Sequence, residues 1–367
     1  MRDDNTVAVG VVGTSWWTDA MYLPALQDHA YARVAAICGR NRERAQRMAD
    51  RWDIPVFYTD FEEMLASGEL DALIVASSND THYPMTVRAL EAGLHVLCEK
   101  PLALSYDQAA EMARLAQEKG VTNLTPFTYA CMPTARYLKE LIDSGYLGRP
   151  YHLNLRYYTG YGRESSYLWR FDMSKAGAGA VGDIGSHFIY LARWFFGEIT
   201  GVFARLGTQI TRPATDSAGH PYEQADDSAI LTLQFANGAL GSIHVTTVAY
   251  EATSFGQVHQ MEFHGSEGTL HSLTDWDRVQ RVSGARVGEG AVRDIEIPEH
   301  IWQGARRDTV HNTYRDVFRR QEVMTRAFVT AVAEGRAVRP DFSDGAVVQR
   351  VVEAAQQSHR EGRWVEL

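Results

Sequence analysis

From Thr6 to Leu124 short β-branched apolar runs alternate with longer stretches of helical periodicity, a pattern that restricts the segment to a doubly wound parallel sheet. The runs predict strands at 7–12, 33–38, 55–57, 72–76, 94–98 and 121–124, with helices at 18–29, 41–52, 60–67, 80–92 and 105–119. Residues 72–76 are apolar without alternation, as expected of a strand covered by helices on both faces. Ser105 and Asp107 start the last of these helices and Gly120 stops it.

Beyond a bridging helix at 134–143, closed by Gly145 and the turn at 148–150, the pattern changes to period two. Ala229, Leu231, Leu233 and Phe235 share one face of a strand, Ile230, Thr232 and Gln234 the other, and Asn237-Gly238 turns the chain into the next strand. Further strands near 258–264, 268–272 and 292–297 complete a large open, mostly antiparallel sheet, with helices at 183–196, 313–334 and 343–359 on one face. The fold class is therefore α/β. A doubly wound domain at 1–127 precedes an α+β domain at 128–367, in keeping with a length of 367 residues. Residues 209–225 read as a long polar loop, and no internal repeat is evident.

A net charge of −10 argues against nucleic acid as a partner. The hydrophilic first six residues predict no secretion signal, and the longest uncharged run, 229–250, alternates like a hairpin and predicts no membrane span. Three scattered cysteines, Cys38, Cys98 and Cys131, suit small buried hydrophobes in a reducing cytoplasm.

Gly13, Thr14, Ser15, Trp16 and Trp17 stand where the first strand turns into the first helix, the place for a pyrophosphate. The glycine fingerprint is incomplete: Ser15 and Thr18 replace its second and third glycines, so Ser15 offers a hydroxyl to phosphate where glycine would offer only space. After the second strand, Gly39, Arg40, Asn41 and Arg44 include no carboxylate for ribose hydroxyls. Arg40 suits a 2′-phosphate, so NADP is favoured, with NAD the alternative. Ser77, Ser78 and Asn79 lie at the sheet's carboxyl edge, with Asn79 suited to the nicotinamide ribose or carboxamide. His82 completes this set, although its place at a helix start also suits a structural role.

Glu99 and Lys100 end the fifth strand, and Pro101 fixes the turn. A lysine there polarises a hydroxyl or carbonyl oxygen, and Glu99 provides a neighbouring carboxylate. Asp183 and His187, one turn apart on a predicted helix, form a carboxylate and imidazole pair fit for proton transfer, and the small-residue run 177–182 before them allows close approach to a ligand. No third ligand accompanies them at metal-binding spacing, so no metal is expected. His244, His259, His264 and His271 read as sheet residues.

The Gly13 turn, Ser77 to Asn79, Glu99-Lys100-Pro101, Gly182 to His187 and His264 to Leu270 together resemble the glucose–fructose oxidoreductase, inositol dehydrogenase and MocA-like family, Gfo/Idh/MocA, over nearly the whole length. The resemblance implies hydride transfer between a nicotinamide cofactor and a hydroxyl or carbonyl carbon of a sugar, cyclitol or related polyol. It implies that Lys100 binds the reacting oxygen, that His187 is the general acid/base and that Asp183 supports both substrate and histidine. It also implies that 1–127 is a dinucleotide-binding Rossmann domain, that 128–367 is the substrate-binding and oligomerisation domain, and that a homodimer or homotetramer is built on the exposed face of the second sheet. Tyr190 stands where many relatives carry Asp, and Ala130 where Arg is frequent. Tyr129, Arg156, Tyr158, Trp169 and Arg170 are the expected substrate-lining residues, with Tyr161 and Arg163 beside them and Tyr157 readable as core. The same fold supports two rivals, a redox-neutral NAD-dependent glycoside-cleaving enzyme and a non-catalytic nucleotide-binding regulator.

Overall fold

The computed structural model describes residues 6–251 and 256–367. The chain divides into two compact units, one of Met1–Pro126 with Arg315–Val347, the other of Phe127–Tyr314 with Val348–Leu367.

In the first unit six strands, β1 (Val7–Val12), β2 (Ala32–Cys38), β3 (Val56–Tyr58), β4 (Ala72–Val75), β5 (His95–Cys98) and β6 (Asn123–Leu124), form a parallel sheet in the order β3-β2-β1-β4-β5-β6. β1 and β4 are buried along their whole length, which is why they carry no polar alternation. Asn41, Asp60 and Ser105 cap the helices Arg42–Arg51, Phe61–Ala66 and Tyr106–Lys119. Strand order reverses between β1 and β4, the point at which open parallel sheets leave a crevice beyond the carboxyl ends of their strands.

The first predicted helix is not a plain α-helix. Thr18–Tyr22 is a π turn, followed by a short α-helix at Leu23–Gln27. Pro24 has no N–H to give to the carbonyl of Ala20, and that carbonyl instead accepts from Nε of Arg319 at 2.7 Å. Arg319 belongs to a segment expected over the second sheet as one helix at 313–334. The structure has two helices there, Val310–Arg320 and Thr325–Ala333, and from Arg315 onward they belong to the first unit. Phe318 packs edge-on against Trp17 and Tyr22, and Arg326 donates to the carbonyl of Ala25 at 2.9 Å.

The second unit holds nine strands: β7 (Pro150–Thr159), β8 (Ile199–Gly207), β9 (Ser228–Phe235), β10 (Leu240–Thr246), β11 (Gln257–Gly265), β12 (Gly268–Thr274), β13 (Gln280–Arg286), β14 (Arg293–Ile295) and β15 (Val365–Glu366). Their order is β14-β13-β12-β11-β7-β10-β9-β8-β15, antiparallel except for β7 beside β10. β7, β8, β13 and β15 were not foreseen as strands. The helix Gly185–Phe196 lays Phe188, Ile189 and Phe195 into one core with Leu153, Leu155, Leu231, Leu233 and Phe263 from the sheet. Each such side chain stabilises the unit by about 1.5–3 kcal/mol. The loop predicted at 209–225 is irregular apart from isolated bridges, but it supplies a buried arginine, Arg212.

Candidate active site

In the first unit, Gly13 adopts φ +112°, and a Cβ there would fall 2.2 Å from the carbonyl oxygen of Ala76. Only glycine lets the turn after β1 close so tightly against the end of β4. A Cβ on Gly39 would lie 2.5 Å from the methyl of Thr14, so the β2 end is equally tight. These bare approaches at a strand-to-helix turn fit a dinucleotide pyrophosphate. Ser15 Oγ accepts the N–H of Thr18 at 3.3 Å, so its hydroxyl caps the π turn. Trp16 is 64% exposed and lies 5.9 Å from Trp17. Arg40 and Arg44 are exposed, while Asn41 Oδ1 is occupied by the N–H of Arg44 at 2.8 Å.

The strand ends around Lys100 are braced from both sides. Glu99 accepts the hydroxyl of Tyr22 at Oε1 and the backbone N–H of Lys100 at Oε2, 3.1 Å away. Glu99 is thus a bracket that ties the lysine's backbone to the π turn. The Lys100–Pro101 bond is cis. His82 is buried, with Nδ1 2.9 Å from the carbonyl of Pro101 and Nε2 3.3 Å from that of Ser77. Burial lowers its pKa. His82 was included among cofactor-side residues. Its closer contact, Nδ1 with the Pro101 carbonyl, ties the helix Asn79–Glu91 to the Lys100 turn. Ser77 Oγ accepts from Thr81 at 2.6 Å, and Asn79 is buried at the first position of the helix Asn79–Glu91, whose N-cap is Ser78.

In the second unit the predicted helix 183–196 is interrupted. Asp183 ends a short turn, Ala180–Asp183, and His187 lies in the helix Gly185–Phe196. Asp183 Oδ2 accepts the hydroxyl of Tyr161 at 2.6 Å and pairs with Nε of Arg170 at 3.2 Å. Burial of its hydroxyl and the nearby carboxylate raise the pKa of Tyr161 well above the usual phenol range. Arg170 also lies 4.6 Å over the Trp169 ring. The segment bearing these residues is pinned by Arg212, which donates to the carbonyls of Gly162 at 2.6 Å and Ser166 at 3.2 Å and covers the Phe171 ring at 3.8 Å. Arg170 thus serves the carboxylate directly, where it was expected only as a pocket wall.

Gly179, before Asp183, packs against the protein itself. A Cβ on Gly179 would lie 1.7 Å from the carbonyl oxygen of Asp226, whose carboxylate accepts the N–H groups of Gly179 and Val181 at 2.9 Å each. Burial pushes Asp226 up to about 6 despite those bonds.

His187 sits among rings: Tyr129 at 4.5 Å and Phe127 at 6.1 Å, with Tyr190 stacked on Phe127 at 4.5 Å. The Tyr129 hydroxyl is 2.7 Å from that of Tyr157, and the Tyr129 ring is 4.6 Å from His259. Burial raises Tyr129 to about 12 and lowers His259 to about 3. Arg156 and Tyr158 alternate with buried Leu155, Tyr157 and Thr159 along β7, so they occupy the opposite sheet face, where Tyr158 meets Nδ1 of His244 at 2.7 Å. Their expected place beside His187 is corrected by strand register: Tyr157 faces the histidine and they do not. His259 was passed over as a sheet residue. It lies in phase with buried Met261 and Phe263, and that phase was the available signal. Among the described residues no three His, Cys, Asp or Glu side chains gather as metal ligands would.

Residues 7–127 match the profile of an oxidoreductase family with an NAD-binding Rossmann fold, and residues 139–367 match its C-terminal alpha/beta domain. The chain is 27% identical to levoglucosan dehydrogenase of Pseudarthrobacter phenanthrenivorans, over 90% of this chain and 88% of that protein. It is 28% identical to D-xylose 1-dehydrogenase (NADP(+)) 2 of Haloferax volcanii, over 98% and 99%. The structure of levoglucosan dehydrogenase in complex with NADH and levoglucosan superposes with a TM-score of 0.86 at 26% identity, covering 98% of this chain and 99% of that one.

Proposed function

The chain belongs to the Gfo/Idh/MocA oxidoreductase family, and on that footing we propose that it moves a hydride between a nicotinamide cofactor and a hydroxyl-bearing carbon of a sugar, cyclitol or close derivative. Similarity to dehydrogenases of levoglucosan and xylose supports this substrate class. The nicotinamide, when bound, supplies the hydride acceptor or donor.

Lys100 hydrogen-bonds the reacting oxygen and stabilises the charge that grows on it. His187 takes the hydroxyl proton on oxidation and returns it on reduction. Asp183, oriented by Tyr161 and Arg170, anchors a substrate hydroxyl and supports the histidine. Tyr129 and Trp169 are the remaining substrate-side groups. Gly13, Thr14, Ser15, Trp16 and Trp17 cradle the pyrophosphate. Ser77, Ser78, Asn79 and Glu99 border the nicotinamide half. Gly39, Arg40, Asn41 and Arg44 border the adenosine ribose, and the exposed Arg40 with no carboxylate at that strand end favours NADP over NAD.

The observation that carries the reading is the Lys100 turn, held by Tyr22 through Glu99 on one side and by His82 on the other. Such bracing fixes a lysine against the reacting atom. The test is a screen of sugars, cyclitols and glycosides with NADP and NAD, read as reduced-nicotinamide absorbance, with Lys100→Met alongside. Oxidation of a polyol that the variant cannot support is expected. No oxidation of any of them, or an unaffected variant, overturns the reading.

Two finer readings follow. Among the described residues no helix is long and apolar enough to cross a membrane, and the three cysteines are free, which supports a reducing cytoplasm. The open face of the nine-stranded sheet exposes Tyr151, Ile230 and Leu240, which supports self-association into a homodimer or homotetramer there.

A further inference from the structure

A cleft of about 370 Å³ opens in the second unit at the end of β7, lined by Thr159, Tyr161, Arg163, Tyr250 and Glu251. Its volume lies at the lower end of the range for small-molecule sites, about 300–1,000 Å³. Tyr250 is 78% exposed. Leaving such a ring in water forgoes the stabilisation its burial would give. The Arg163 guanidinium sits 4.8 Å from its centroid and props it in place. Tyr161 is shared with the site above: its ring is 40% exposed and lines the cleft, while its hydroxyl turns inward to Asp183 at 2.6 Å.

We propose that this cleft is a subsite for a second sugar ring, so that the preferred substrate is a glycoside or disaccharide and not a free monosaccharide. The proposal rests on the sugar reading above and deepens it. The ring oxidised would be anchored by Asp183, and its glycosidic neighbour would lay its C–H face on Tyr250. Hydroxyls of that neighbour meet complementary partners, the donors of Arg163 and the acceptor oxygens of Glu251. A monosaccharide anchored at Asp183 leaves these groups in water.

The test uses two matched pairs, D-glucose with cellobiose and D-xylose with xylobiose, on the full chain, Tyr250→Ala and Tyr250→Phe. The expected result is a higher kcat/KM for the disaccharide of at least one pair. Tyr250→Ala should then lower that value about tenfold, chiefly through KM, leave the monosaccharide within about twofold, and be rescued by Tyr250→Phe. Equal losses for both members of a pair, or none for the disaccharide, overturn the subsite. If no sugar is oxidised at all, the proposed activity fails, and calorimetric titration of cellobiose and xylobiose into the same proteins still decides the subsite. Disaccharide binding weakened by Tyr250→Ala supports it, and binding that is absent or unaltered overturns it.

Discussion

The indole N–H of Trp276 donates to Nε2 of His259 over 3.2 Å. An indole nitrogen is only ever a donor, so Nε2 is an acceptor and the imidazole is neutral with its proton on Nδ1. Gln257 Nε2 approaches the same atom at 3.1 Å and the Tyr129 hydroxyl at 3.4 Å, so this histidine helps to place the ring that lies 4.5 Å from His187.

That neutrality has a stability cost in acid. Burial holds His259 at about 3 in the fold, while the unfolded chain returns it to 6.5. A depressed histidine pKa contributes stability that is fully present above 6.5 and is lost as pH falls toward 3. Between pH 7.5 and 5 the expected loss is about 2 kcal/mol. Urea unfolding of wild type and His259→Gln at both pH values checks this: the variant should lose markedly less on acidification. Parallel losses would show that the histidine is not the group being titrated.

Asp226 works in the opposite direction. Its folded pKa of about 6 lies above the unfolded 3.8, so the native state holds the proton longer, and stability falls as pH rises from about 4 to 6. Asp226→Asn abolishes this slope. It also leaves the N–H of Gly179 or Val181 facing an amide N–H, a cost of about 1–3 kcal/mol. Unfolding curves at pH 4.5 and 6.5 should show a variant that lacks the wild-type Asp226 loss between them, so that any deficit relative to wild type at pH 4.5 shrinks or vanishes at pH 6.5.

For Lys100→Met, cofactor affinity is expected to hold while turnover falls by a factor on the order of 100 or more, because oxygen polarisation and help with proton transfer go together. Fluorescence titration of cofactor and steady-state kinetics separate the two. Near-normal turnover would remove Lys100 from the chemistry.

Arg40→Ala should weaken NADP by about 1.5–3 kcal/mol, one charge-assisted hydrogen bond, and leave NAD almost unchanged. Dissociation constants for both cofactors are the measurement. Equal losses would make Arg40 an ordinary surface residue.

The first sheet was legible because strands buried on both faces, such as β4, announce themselves as unbroken apolar runs. Pro24, interior to the predicted helix 18–29, signals a break there but not a π turn. The carbonyl it leaves open is filled by Arg319, 299 positions away in sequence. For the same reason no local periodicity assigned residues 315–333 to the first unit. Lys100, Asp183 and His187 were visible as motifs, but their supports were not: Tyr22, Tyr161 and Arg212 act through contacts that spacing does not encode. Arg156 and Tyr158 read as pocket residues by residue type, whereas the alternation of β7 puts them on the face opposite Leu155, Tyr157 and Thr159.

The final prediction concerns His187 and whether reduced cofactor accumulates. The imidazole lies against Tyr129 and Phe127, close to groups that burial keeps uncharged, so a proton passed to it from a substrate hydroxyl is not drawn off by a neighbouring phenolate. In net dehydrogenation that proton leaves as the hydride departs, and each sugar oxidised yields one reduced nicotinamide in solution. A redox-neutral glycoside cleavage would return the hydride to the same sugar, and absorbance would not build up. With the best substrate and oxidised cofactor, stoichiometric accumulation is expected for the native protein. For His187→Ala a rate lower by about 10²–10⁴ is expected, the usual worth of a positioned acid/base. Cleaved glycoside without accumulated reduced cofactor would replace the dehydrogenase reading with the redox-neutral one. Unimpaired oxidation by His187→Ala would leave the reaction class standing and move the proton-transfer role to another group.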